Sequence, residues 1–194
     1  RENPAAGPNS AHFLYAFLNT YAPNPGQTAV PTEGDWISIA AVVQSPTSEG
    51  SVEIKTASAF DHPAIDPAYF SASFDMKTMV AAFKTTAKFF SAPVWEGYIA
   101  EAAPETAALT TDDAIEAYVR KYTNTLKHPV ATARISKAEE ARGIVGPNLM
   151  VKKIKGVRVV DASVLPFAVA GFPQAQVYIL ADRAAALTKE RWAK

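Results

Sequence analysis

The chain carries three histidines, no cysteine and 19 acidic side chains, and this inventory bounds its chemistry. Without cysteine there is no thiolate nucleophile, no disulfide and no cysteine-held zinc. A zinc site made of imidazoles would need His12, His62 and His128 to meet, and they are scattered without ligand spacing. His128, in Lys127-His128-Pro129, is the sharpest candidate for proton transfer, since an imidazole exchanges its proton near neutral pH. Its bland alternative is a histidine that packs beside Pro129 and bonds to backbone. His62 sits in a proline-rich loop and reads as structural. Asp161 closes the run Gly156-Val157-Arg158-Val159-Val160. Ligand-binding residues gather at such strand ends in open α/β sheets; the competing reading is a cap serving Ser163. Asp112 and Asp113 read as helix caps rather than an acid/base pair, and Lys152, Lys153 and Lys155 are too few to hold a polyanion.

These candidates need elements to position them. Residues 12–21, aromatic and flanked by turn formers, read as a short buried helix. Residues 36–43 are β-rich and apolar, and residues 51–55 alternate apolar with polar; across the turn 45–50 they suit adjacent strands of one antiparallel sheet. The prolines of 61–67 mark an extended loop. Asp75 is placed to cap a helix from Met76 to about Ser91, with Met79, Val80, Phe83, Ala87 and Phe90 on one face. A second helix runs from Ala114 to Tyr122 with the stripe Ile115, Tyr118 and Val119. Residues 156–161 read as a strand. Residues 175–193, rich in alanine, are the strongest helix, with Pro173 and Gln174 at its start.

Of the 194 residues, 48% are hydrophobic, enough for a core, and 19 basic side chains balance 19 acidic ones. That balance gives no electrostatic reason to bind nucleic acid or an anionic membrane. No apolar run approaches the roughly 20 residues of a membrane span. There is no Asn-x-Ser/Thr sequon, and a start at Arg1 reads as a processed product or one part of a larger chain.

Two segments resemble the glucose–methanol–choline (GMC) flavoprotein oxidoreductases. Gly156-Val157-Arg158-Val159-Val160-Asp161-Ala162-Ser163-Val164-Leu165-Pro166 closely matches the family's G-L-R-V-V-D-A-S-V-x-P, and a family-like helix follows from Gln174. His128-Pro129-Val130-Ala131-Thr132-Ala133-Arg134-Ile135 resembles its H-P-x-G-T-C-x-M. Upstream, Ser48-Glu49-Gly50-Ser51-Val52-Glu53-Ile54 is similar to S-R-G-x-V-x-L. The stretch from Phe60 to Phe70 is similar to the D-P-P-x-I-D-P-N-Y-L loop. The likeness spans roughly residues 44–192. The family's G-x-G-x-x-G fingerprint, whose glycines let backbone approach a cofactor pyrophosphate, is absent, and only nine glycines are present.

The resemblance implies a mixed α/β chain: residues 1–108 mainly a substrate-binding portion with antiparallel sheet and helices, and 109–194 a return segment adding one strand and the last helix to an FAD-binding domain. It implies His128 as catalytic base, with Phe172 at the position of the family's polar partner and shaping the substrate pocket. Asp161 and Ala162 would lie along the FAD ribityl–pyrophosphate region, and Pro173, Gln174 and Val177 beneath the isoalloxazine. FAD would be held mostly by a second polypeptide carrying the Rossmann half, either a separate chain or one cleaved from the same precursor. The implied activity is oxidation of an alcohol or related small organic substrate. Phe172 in place of a polar residue keeps open a cyclisation or dehydration, and a third reading is a non-catalytic scaffold half.

Overall fold

In the computed structural model, residues 7–27 and 30–193 are described. The chain divides into two compact units that interleave along the sequence: Arg1–Ser48 with Tyr69–Thr125, and Glu49–Ala68 with Leu126–Lys194. A cut at 108/109 is sequential, whereas the contacts take the hairpin region 49–68 out of the first unit.

The first unit joins a two-stranded antiparallel sheet, β1 (Phe13–Leu18) and β2 (Ser38–Val43), to helices α1 (Ser73–Phe90), α2 (Pro104–Ala107) and α3 (Asp112–Tyr122). Residues 12–21 therefore hold a strand and not the expected helix. Phe13, Tyr15 and Phe17 alternate, so they share one face and stack in sequence at ring separations of 5.3 and 6.4 Å. The Tyr15 hydroxyl donates to the Ala82 carbonyl of α1 at 2.6 Å. The core is Met76 and Val80 of α1 against Ile115 and Val119 of α3, each under 8% exposed, with Phe70, Met79, Phe83 and Leu109 packed around it. Thr111 caps α3, its side chain accepting from Ala114 N–H.

Asp75 does not cap α1. The helix starts two residues earlier, at Ser73, and the Asp75 side chain, 3% exposed, accepts from Thr47 N–H (2.8 Å), Thr47 Oγ1 (3.0 Å) and Ser48 N–H (2.8 Å). Ser48 Oγ in return accepts from Ala72 N–H. This bonding also explains why residues 36–43 and 51–55 are not neighbours. The Thr47 and Ser48 amides, in the middle of 45–50, are anchored on Asp75 and do not close a hairpin, and β2 pairs with β1.

In the second unit β3 (Ser51–Glu53) pairs antiparallel with β4 (Ala64–Asp66), which lies inside the proline-marked loop. Gly50 has to be glycine, since a Cβ there would meet the Asp66 carbonyl at 2.0 Å. The core is Val145, Leu149, Val164 and Ala184, with Ile135, Val151, Val159, Leu180 and Leu187 around it. Helix α4 (Gln174–Trp192) covers it, and the remainder is irregular chain joined by single bridges, Ile135–Val145, Val145–Val151 and Met150–Arg158. The expected strand 156–161 is thus one bridge long, because only the turn at 149–151 pairs with it here. Lys152 Nζ clamps the loop before this turn, donating to Ser136 Oγ, the Lys137 carbonyl and the Glu140 carbonyl at 2.5–2.8 Å. Glu49 accepts from both Arg134 and Arg142. No helix among the described residues is long and apolar enough to cross a membrane.

Candidate functional site

The loop bearing His128 is bracketed by two non-glycine residues in the left-handed region, Lys127 (φ 61°) and Ala131 (φ 70°). For a residue with a Cβ that conformation costs on the order of 1–2 kcal/mol. It is held because the following residues are tied down: Ala133 N–H donates to the Ser163 carbonyl at 3.0 Å, and Ile135 N–H to the Val164 carbonyl at 2.9 Å. Those acceptors belong to a 3₁₀ turn, Ala162–Val164, whose cap is Asp161; its carboxylate accepts from Ser163 N–H at 2.7 Å. Asp161 therefore holds the turn that holds the His128 loop. Val164, 1% exposed, anchors the turn in the core.

From Leu165 the chain runs to Gly171, with φ 109°, and enters α4 at Pro173. The helix has no side-chain N-cap, and its first intrahelical bond runs from Val177 N–H to the Pro173 carbonyl. The amide donors of Gln174, Ala175 and Gln176 are left without intrahelical acceptors, as in any first turn. Phe172 turns back over the histidine: the two rings are 5.7 Å apart and meet edge-on at 84°.

His128, Phe172, Pro173, Gln174 and Val177 line one open cleft of about 620 Å³, together with Tyr178 and Ala181. Five of the seven site residues expected from the sequence are thus brought together. Asp161 and Ala162 do not line the cleft and sit in the turn behind it. Tyr178 and Ala181 went unforeseen, although their spacing from Gln174, four and seven residues on, puts them on its helix face. The walls are mainly apolar, and the surface is open, with Phe172 56% and Tyr178 71% exposed. Among the described residues no group of three acidic or histidine side chains could hold a metal ion. The Gln176 Oε1, on the inner side of the same helix end, is buried without a hydrogen-bond donor.

The family model described as GMC oxidoreductase, C-terminal domain, matches residues 46–181. The chain is 35% identical to an alcohol dehydrogenase [acceptor] of Pseudomonas putida over 171 residues, covering 88% of this chain and 30% of that protein. It is 34% identical to choline oxidase of Arthrobacter globiformis over 82% of this chain and 30% of that one. Among solved structures, a formate oxidase of Aspergillus oryzae RIB40 superposes with a TM-score of 0.89 at 25% identity, covering 97% of this chain and 33% of the other. The chain therefore spans about a third of the length of the relatives it matches. With the motif from Gly156 to Pro166 closely matched and the family model aligned from residue 46 into α4, the chain belongs to the GMC oxidoreductase family, as its C-terminal portion.

Proposed function

We propose that this chain is the C-terminal part of an FAD-dependent oxidoreductase that oxidises an alcohol or a related small organic substrate, with His128 as its base. The observation that carries the reading is the convergence of His128 with Phe172, Pro173, Gln174 and Val177 on one cleft at the mouth of α4. The residues fit the ring end of a flavin. A flat heteroaromatic system suits apolar walls, and the free amides of the first turn of α4 suit the electron-rich edge of such a ring. Nothing in the chain offers a glycine-rich cradle for the pyrophosphate, which assigns that end of FAD to sequence outside these 194 residues.

When bound, FAD supplies a hydride acceptor. This chain's own part is to take the substrate hydroxyl proton on a His128 ring nitrogen, which requires the neutral imidazole. Phe172, edge-on to His128, limits the orientations of that ring and keeps water from one side of it. Under this reading residues 1–108 serve mainly the substrate and 109–194 mainly the FAD domain, with Asp161 and Ala162 close to the ribityl chain.

Intact mass spectrometry under native and denaturing conditions, with an absorbance spectrum beside it, is the test. A second polypeptide or additional sequence carrying G-x-G-x-x-G, together with a flavin band, supports the reading; a colourless chain running alone defeats it. In the flavoprotein, His128→Ala is expected to lower kcat by about 10²–10⁴-fold while leaving flavin content unchanged. One observation favours a second reading: Phe172, which can neither donate nor accept, stands edge-on to the histidine ring with 5.7 Å between ring centres. Such a site suits a non-redox cyclisation or dehydration. Turnover without flavin bleaching under anaerobic conditions would select it over oxidation.

A further inference from the structure

His128 is presented by a stretch with few soft dihedrals. A residue before proline is confined to extended backbone, so Pro129 limits His128 itself, and the proline ring fixes φ at 129. Val130 is β-branched and favours extended chain. Beyond it the chain is anchored. Ala133 and Ile135 donate their N–H groups to the Ser163 and Val164 carbonyls, and Arg134 N–H donates to the Ala131 carbonyl at 3.3 Å. Residue 131 is thus the joint between the anchored segment 133–135 and the histidine.

A side chain in the left-handed region, Ala131 at φ 70°, occupies this joint. Glycine would serve there without steric cost, and the motif that the segment resembles carries glycine at that place. Glycine ranges widely over positive φ, whereas a left-handed residue with a Cβ is held to a well at roughly +50 to +70°. The methyl group therefore strains the backbone and narrows its swing at once. Such strain persists only where the surroundings over-determine it, as the bonds to Ser163 and Val164 do here. From its other side the imidazole meets Phe172 edge-on, with 5.7 Å between ring centres. Phe172 limits rotation of the ring, and residue 131 limits movement of the backbone that carries it.

We propose that Ala131 is a positioning residue. Its Cβ holds the joint in the narrow left-handed well and so keeps the His128 imidazole where it can take the substrate hydroxyl proton. This rests on the reading of His128 as base, and Ala131 acts through the histidine.

Variants of the complete flavoprotein test it. Ala131→Gly should keep or raise the melting temperature, because it relieves the strain at 131. Its limiting rate of anaerobic flavin bleaching by benzyl alcohol should nevertheless fall at least about tenfold, with the half-saturating concentration within about twofold. Placement of a base counts in the transition state and little in binding. Ala131→Asn, which keeps a Cβ and tolerates the left-handed region, should restore the rate to within about threefold of the parent. Relaxation of the His128 Cε1–H in protein carrying isotope-labelled histidine reads the same motion without substrate. Its order parameter should stand near about 0.85 in the parent and fall below roughly 0.6 in Ala131→Gly. An Ala131→Gly protein that keeps either the parent's ring order or the parent's bleaching rate overturns the positioning role and leaves His128 as base standing. A purely structural Ala131 would move the melting temperature alone. A His128→Ala protein that bleaches as fast as the parent overturns both readings. Should benzyl alcohol not bleach the parent, the ring order decides.

Discussion

The two units reach a buried core by different means. In the first, two amphipathic helices face each other and four side chains, Met76, Val80, Ile115 and Val119, interlock at helical spacing. In the second, one helix covers a core whose other side is irregular chain, held by single bridges, a lysine clamp and an aspartate-capped turn. Regular elements satisfy most of the first unit's backbone, and side-chain bonds such as Tyr15 to the Ala82 carbonyl and Thr47 to Asp75 tie those elements together. In the second unit side-chain bonds instead fix the irregular chain itself, and it is that chain that carries the cleft. Irregular chain can present His128 between two left-handed residues, an arrangement no helix or strand permits.

If the units are separate packing problems, a cavity in one should be felt mainly there. Ile115→Ala in the first unit and Leu149→Ala in the second, both 2% exposed, should each cost about 2–5 kcal/mol. Hydrogen exchange should show each loss confined to its own unit; equal loss of protection in both would erase the contrast. Asp75→Ala tests a buried side chain that serves the first unit as an acceptor. Removing it strands the amides of Thr47 and Ser48 at roughly 1–3 kcal/mol each, so a cost of about 3 kcal/mol is expected in chemical denaturation. The corresponding cap on α3 is smaller: Thr111→Ala should lower stability by about 1 kcal/mol and fray only the first turn by exchange.

The smallest effect is one of pH. The Tyr118 hydroxyl is raised above its ordinary value of 10.0, chiefly by burial, with the Glu105 charge adding and the Asn24 hydrogen bond opposing. Its neutral form is therefore favoured in the folded state, and that contribution is complete below pH 10.0 and is lost as pH rises through the folded value. Tyrosinate absorbance should begin to rise for Tyr118 later than for a free tyrosine, and Tyr118→Phe should remove that late step. Loss of helix at a pH below the tyrosinate step would contradict this.

Much of this was legible in the sequence. The strands expected at 36–43 and 51–55, and all three long helices, follow from apolar period and propensity, with ends within about three residues. The motif from Gly156 to Pro166 was enough to identify the family. Two expectations differ from the structure, for distinct reasons. The aromatic content of 12–21 suggests a helix, but the alternation of Phe13, Tyr15 and Phe17 is the signal the fold obeys. A short polar side chain at a helix start is usually a local cap, yet the acceptor capacity of Asp75 is spent 27 and 28 residues away.

What the sequence determined by itself is what local chemistry encodes: helix spans, the absence of cysteine and a family motif, while the cap of α3 fell on Thr111 and not on Asp112 or Asp113. The tertiary structure decided which strand meets which and where the site lies. The pairing of β1 with β2 and of β3 with β4 depends on contacts that no spacing along the chain reveals. The meeting of His128 with Phe172, 44 residues apart, depends on a chain of bonds from Asp161 through Ser163 to the loop before Ile135. Propensity is a property of neighbours in sequence, whereas burial and hydrogen-bond satisfaction are properties of the whole packed chain, and those set the site.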